Sequence, residues 1–398
     1  MSGAVTSILS ATVISGAAGY AINAVVPMRV QPATYADFSV IWSILYFVIA
    51  ALSGIQQEVT RAASPRVLDA GERSPALRFA LMGGVGVAVA VAIAAFFGLP
   101  ALLGEQVVGA AVPLALGTGA YVCVAVLSGL LYGLSSWRLI AFSIAADGVL
   151  RLVLVIVALV ARIDVVGVIY AVALPFPVVP LILLVIAGGR VRGRTRLDVA
   201  MGALTWNATR AVLASAASAL LISGFPLVLA VTSIGVPKDS LASVNLAISL
   251  ARAPLVTVVL ALQSLLIVRF RDARGSVRRV FSLIAGGLVV LAAIAGGVAA
   301  AVGPWALSLF GGGYHLDGWF IGLLVFSSGL LGVLCMTGTL AMARNRHAAY
   351  LWGWVAAAAA TVLALLLPLG IEARVCLALV VGSVVGATVH LGLLSARR

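Results

Sequence analysis

Residues 142–162 read FSIAADGVLRLVLVIVALVAR. As a helix this run is long enough to cross roughly 30 Å of hydrocarbon. Asp147 and Arg151 fall near its middle, where charge is expensive, so the pair is either a working centre or two groups that neutralise each other. Their spacing of four residues puts them on one helical face, close enough to pair. Apolar runs of this length recur along all 398 residues; 63% of the chain is hydrophobic, 9% is charged and the mean hydropathy is +1.21. A soluble domain needs far more charge to cover its surface. The composition therefore specifies an all-α polytopic membrane protein of the cell membrane.

Other classes drop out on the same reading. Cys123, Cys335 and Cys376 lie far apart inside apolar runs and suggest neither a disulfide framework nor a metal cluster. The first apolar stretch continues past signal-peptide length with nothing basic before it, so no cleavable signal is expected. No phosphate-binding loop, HExxH or cluster of His and carboxylates proposes an enzyme, a metal or a cofactor. His315, His347 and His390 stand singly, in loops or near a helix end. The net charge of +13 raises nucleic acid as a partner, but the placement of that charge argues against it.

Hydropathy punctuated by Gly, Pro and charge clusters gives twelve spans, near 5–28, 38–57, 79–99, 108–134, 139–161, 165–187, 201–232, 240–266, 280–302, 318–343, 347–368 and 374–394. Of the 25 basic residues, 18 fall in the even-numbered loops and at the C-terminus. Only Arg29, Arg162, Lys238 and Arg374 fall in the odd-numbered loops, leaving Arg151, Arg210 and Arg252 inside spans. The positive-inside rule then places both termini in the cytoplasm. By these limits Asp147 is the one acidic residue inside a span.

The two halves echo each other. GLPALLGEQ (98–106) before span four matches GPWALSLFGGG (303–313) before span ten, and LLYGLSSWRLIAF (130–142) matches TLAMARNRHAAYL (339–351). The expected organisation is two pseudo-symmetric six-helix lobes, 1–189 and 201–398, joined by a basic cytoplasmic linker at 190–200. Six spans returning to the same side make a parallel repeat.

Polar faces inside spans carry the functional signal, because a polar face in lipid turns toward protein or water. Asn245, Ser249, Arg252 and Gln263 of span eight fall within a sector of about 60° at roughly 100° per residue. Span two carries Ser39, Ser43, Tyr46, Ser53 and Gln57 on one face. A shift of 206 residues lays Ser39 on Asn245, Ser43 on Ser249, Tyr46 on Arg252 and Gln57 on Gln263. Such stripes either cement helix packing or line a cavity.

Arg252 is the sharpest single residue: it lies mid-span, two positions before Pro254, with no acid within helical reach. An arginine there costs roughly 2.5–3.5 kcal/mol on insertion scales, so it needs wet or anionic surroundings. Arg210, beside Asn207, either joins that surface or snorkels to the cytoplasm. Span one presents Thr12, Gly16, Gly19 and Asn23 on one face, and Arg29 just beyond it stands at an outer vestibule. Asp147 is either neutralised by Arg151 or is a protonatable carboxylate available for ion coupling.

Three stretches, YADFSVIWSILYFVIAALSGIQQEVTRA (35–62), VNLAISLARAPLVTVVLALQSLLIVRF (244–270) and LLYGLSSWRLIAF, resemble the polysaccharide-biosynthesis flippases. This O-antigen and teichoic-acid exporter group is related to the multidrug and toxic compound extrusion (MATE) transporters and to the lipid II flippases, within the multidrug/oligosaccharidyl-lipid/polysaccharide (MOP) exporter superfamily. The resemblance implies a MATE-like V of two lobes around a cavity lined by spans one, two, seven and eight. It implies alternating access and a lipid-diphosphate-linked saccharide as substrate. Twelve spans rather than the fourteen usual for lipid II flippases argue against lipid II, and the missing acid in span one argues against a drug exporter.

The leading expectation is a flippase that exports an anionic lipid-linked oligosaccharide for the cell envelope. Arg252, Arg210 and Arg29 would hold the diphosphate, and Gln57, Tyr46, Asn245 and Gln263 the sugar hydroxyls, with Asn23 and Asn207 as further polar contacts. A polysaccharide polymerase or glycosyltransferases would be partners, besides the membrane lipids. Export of an anion from an inside-negative cell is favoured by about 2.3 kcal/mol per charge per 100 mV. The first alternative is an ion-coupled small-molecule exporter using Asp147. A membrane scaffold or integral membrane glycosyltransferase is a second, disfavoured by short outer loops. A major facilitator is disfavoured because EVTRAASPRVLDAGERSP (58–75) lacks the Gly-Asp-Arg signature.

Overall fold

A computed structural model describes residues 2–63, 74–191, 196–252, 277–311, 313–344 and 346–396. The first half holds α1 (Ser2–Val25), α2 (Pro32–Ala62), α3 (Ala76–Leu103), α4 (Ala111–Gly133), α5 (Trp137–Val160), α6 (Val165–Ala173) and α7 (Pro175–Val191). Then come α8 (Met201–Ile222), α9 (Phe225–Thr232) and α10 (238–252). The chain closes with α11 (Val277–Ser308), α12 (Gly318–Ala343), α13 (His347–Leu365) and α14 (Ile371–Ser395). Among the described residues, ten helical stretches are long and apolar enough to span a membrane, and α8 with α9 makes a bent eleventh. The remainder of the expected span eight, with Pro254 and Gln263, lies outside the described residues.

By their contacts the helices form two compact units, Met1–Val25 with Val40–Gly224, and Val26–Ser39 with Phe225–Arg398. This grouping differs from the sequence division at 190–200 in two places. The first two turns of α2 pack with the second unit, and α8 packs with the first. In the first unit α3 lies against α4 and α1 against α5; in the second α11 lies against α12 and α13 against α14.

Glycines set how closely these pairs approach. A Cβ at Gly84 of α3 would come within 2.8 Å of the Gly119 carbonyl of α4, and one at Gly119 within 2.8 Å of the Gly84 carbonyl. Gly296 of α11 and Gly322 of α12 repeat the reciprocal contact at the same 2.8 Å. Lipid supplies no hydrophobic drive between helices, so backbone approach at small residues is what packs them.

Two expected spans are broken by proline. Pro175 opens α7 and interrupts span six after Leu174, because proline lacks the N–H that would continue α6. Span seven bends by 72° between Ile222 and Phe225, where Gly224 and Pro226 remove helical restraint. The Ser43 hydroxyl donates to the Ser223 carbonyl at 2.7 Å and satisfies a group the bend frees.

α2 is longer than its apolar core. The sequence limits of 38–57 left Asp37 and Glu58 outside the span, yet the helix runs Pro32–Ala62 and both carboxylates are buried. Each has a cation: Lys238 bonds Asp37 at 2.6 Å, and Arg61 bonds Glu58 at 2.6 Å. The reading of Asp147 as the one intraspan acid is thereby corrected. A terminal turn can enter low dielectric when its charge is matched.

Beyond α2, Ser74–Pro75 pairs antiparallel with Arg196–Leu197, and the Asp198 N–H donates to the Ala62 carbonyl at 3.2 Å. Leu197 is fully buried against Val59, Leu131 and Leu204 in the first unit's core. This pairing anchors the end of the basic linker to the first unit.

Candidate functional site

In the first unit, Arg151 is buried and its guanidinium is held by hydrogen bonds and aromatic rings. It donates to Asp147 Oδ1 at 2.7 Å and to the Val172 carbonyl at 3.0 Å, and it lies over the rings of Phe176 (4.5 Å) and Tyr46 (5.7 Å). Aromatic faces and a carbonyl replace the water a guanidinium loses on burial. Tyr46, read as a sugar contact, is thus drawn to this pair and stacks on Trp42 at 4.5 Å.

Asn207 on α8 donates to Glu58 Oε1 at 3.1 Å, while Arg61 donates to both carboxylate oxygens at 2.6 and 2.9 Å. The network ties α2 to α8, so the Asn207 amide is engaged within the fold. Gln57, one residue from Glu58, is exposed, as is Arg210, a turn beyond Asn207. Asn23 is half-buried and donates to the Gly19 carbonyl of its own helix at 3.0 Å.

In the second unit, Asn245 is buried on α10 and its Nδ2 donates to Ser39 Oγ at 2.9 Å, while Ser39 donates to the Ala36 carbonyl at 2.8 Å. Lys238 holds both oxygens of Asp37, at 2.6 and 2.9 Å. Tyr314 donates to the Pro27 carbonyl at 3.3 Å, and burial pushes its phenol up, so the proton it donates is retained. Arg29 is exposed in the same turn. Arg252 is only 7% exposed, with its guanidinium carbon 5.0 Å from the centre of the Phe225 ring. Gln263 lies outside the described residues.

Sequence reasoning missed four polar contacts. Asp37 with Lys238 and Glu58 with Asn207 escaped because their partners are 201 and 149 residues away. Arg374, assigned only to a loop, donates to the Thr232 carbonyl at 3.0 Å and to Ser233 Oγ at 2.9 Å, closing the end of α9. Its signal was position alone: an arginine in the first turn of the last helix.

The chain is similar to the Mycobacterium tuberculosis protein Rv1510, with 33% identity over 99% of this chain and 92% of that protein. It is 32% identical to Mb3654 of Mycobacterium bovis, over 98% of this chain and 91% of that protein; both relatives are uncharacterised. No family model matches the chain. Among solved structures, an inward-facing multidrug-resistance MATE transporter of the MOP superfamily matches with a TM-score of 0.75 and 15% identity, covering 98% of this chain and 95% of that one. A MOP superfamily transporter from Pyrococcus furiosus, described as having a binding pocket of reverse polarity, matches at a TM-score of 0.63 and 17% identity, over 99% and 96%. The fold is that of the MATE transporters.

Proposed function

We propose, from the premise that this chain belongs to the family of the mycobacterial proteins Rv1510 and Mb3654 and has the MATE fold, that it is a flippase exporting an anionic lipid-linked oligosaccharide by alternating access. The observation that carries this reading is Arg252, a guanidinium buried at the end of α10, in the stretch whose hydropathy reads as span eight. A fixed buried cation favours an anion over a cationic drug. A diphosphate, tetrahedral at each phosphorus and doubly charged, presents pairs of oxygens that suit bidentate donation from the planar guanidinium. Arg210 and Arg29, both exposed, are further cations offered to it. The reversed pocket polarity described for the Pyrococcus furiosus protein supports the idea that this fold accommodates cargo of different charge.

The Asp147 carboxylate gives the ion-coupled small-molecule alternative its candidate, but Arg151 already occupies it at 2.7 Å. The engagement of Asn207, Asn245 and Tyr46 within the fold moves the weight of substrate recognition onto the arginines and Gln57. The test is flipping of a fluorescent polyprenyl-diphosphate saccharide in proteoliposomes, read by outer-leaflet quenching. R252A lowers the rate at least tenfold, R252K partly restores it, and a polyprenyl alcohol without diphosphate is not moved. Wild-type rates in R252A would sink the assignment.

A further inference from the structure

The C-terminal half encloses a titratable group that export of an anion does not use. His390, on α14, is fully buried between α12 and α13. Room for its ring is made by glycine: a Cβ at Gly353 of α13 would collide with the imidazole, and one at Gly338 of α12 would come within 3.5 Å of it. The Tyr350 ring stacks on the imidazole at 6.3 Å, and the Trp354 ring meets it edge-on at 6.2 Å.

Both ring nitrogens meet polar partners. Nδ1 is 2.8 Å from Thr337 Oγ1, Nε2 is 3.0 Å from the Tyr350 carbonyl, and Thr337 Oγ1 is itself 2.8 Å from the Leu334 carbonyl. These are three hydrogen-bond contacts in a chain, each requiring one proton between its heavy atoms. The two carbonyls supply none, the threonine hydroxyl supplies one, and a neutral imidazole supplies one. A neutral His390 therefore leaves one contact with two lone pairs facing each other at hydrogen-bonding distance. One added proton completes the set: Nε2–H donates to Tyr350 O, Nδ1–H to Thr337 Oγ1, and the hydroxyl to Leu334 O.

We propose that His390 is a proton-binding site within the membrane-spanning part of the C-terminal half. The Tyr350 ring, stacked on the imidazole, offers its π face to the ring once it is charged. The titratable group facing it is the Tyr350 phenol; Thr337 and Gly338 face it from α12, and Gly353 and Trp354 from α13, with no carboxylate or cation among these contacts. A charge taken up there alters the packing of three helices at once, which gives the half two states distinguished by one proton.

The protein contains three histidines, and the other two, His315 and His347, are exposed. The H315Q/H347Q protein, with His390 as its single histidine, is labelled with 15N-histidine and placed in phospholipid nanodiscs. NMR between pH 8 and pH 5 is expected to show one unprotonated ring nitrogen converting to two protonated, hydrogen-bonded nitrogens by pH 5. A ring that keeps an unprotonated nitrogen at pH 5 overturns the proposal. T337V, which removes the acceptor of Nδ1–H at nearly constant volume, should weaken proton binding about tenfold, moving the conversion down by about one pH unit. An unchanged midpoint would also overturn it. Neither readout depends on the cargo, so failure here is separate from failure of the flippase reading.

Discussion

Asn245 Nδ2 donates to Ser39 Oγ at 2.9 Å, and the two residues are 206 positions apart, the same shift that superimposes the polar faces of spans two and eight. Equivalent positions of the two repeats meet each other, and the first two turns of α2 are thereby fastened to α10. At this one pair the polar stripe joins two helices. Asn245→Ala and Ser39→Ala should each lower stability in a double-mutant cycle, with a coupling of about 0.6 kcal/mol and no more than about 1.7 kcal/mol. Thermal unfolding in detergent measures it; a coupling of zero would show that the bond contributes nothing.

The crossing of α2 and α8 depends on Gly54. A Cβ there would lie 2.5 Å from the Ala211 carbonyl carbon and 2.6 Å from the Val212 nitrogen, both backbone atoms that cannot swing aside. G54A should cost about 1–3 kcal/mol by overpacking. A methyl at Gly19 would meet nothing within 4 Å, so G19A serves as control and should leave the unfolding temperature unchanged or slightly raised.

Lys238 and Asp37 form an ion pair whose carboxylate is buried at 8% exposure and whose ammonium is 35% exposed. Removing the cation strands a buried carboxylate, while removing the acid leaves an ammonium that water still reaches. K238A should therefore destabilise more than D37N, and the swap D37K/K238D should recover part of the loss. Because Lys238 is partly solvated, the difference falls below the roughly 3–5 kcal/mol of a fully buried pair. Equal losses in the two single variants would refute the asymmetry.

At Asp147 and Arg151 the asymmetry runs the other way, since the arginine is 5% exposed and the carboxylate 25%. D147A leaves a buried guanidinium short of its counter-charge and should destabilise strongly. R151M removes the buried charge altogether and should cost less, as apolar replacements of buried ions often do. D147N separates the functional readings: export whose pH dependence disappears in this variant would favour the ion-coupled alternative over the flippase.

Charge placement predicts cytoplasmic termini. Cysteines introduced at Arg29 and Asp164 should react with a membrane-impermeant maleimide from outside intact cells, and cysteines at Ser135 and Arg344 only after permeabilisation. The reverse pattern would invert the orientation.

The membrane class and the positions of most spans were legible because they rest on quantities local in sequence: run length, hydropathy and the side on which arginines cluster. The Asp147–Arg151 contact was accessible for the same reason, since four residues of helix bring the two groups together. Helix ends were less accessible. Hydropathy stops at the first charge, whereas α2 continues through Asp37 and Glu58 because each carboxylate is matched, Asp37 by Lys238 from 201 residues away and Glu58 by Arg61 one turn on.

Read without its fold, the chain specifies a polytopic membrane protein and leads to the expectation of twelve spans, arginines on the inner side, a repeated polar face and a mid-span arginine at 252. Folding alone settles which helix α2 fastens to at each end, where span seven bends, and which polar groups remain exposed. Those outcomes depend on which faces meet across separations of 149 to 206 residues, and hydrogen bonds in a low-dielectric interior form only where geometry matches donor to acceptor. His390 shows the difference most plainly. In sequence it is a lone histidine near a helix end; in the fold it is enclosed by α12 and α13, in a chain of three contacts that needs one more proton than its neutral groups provide.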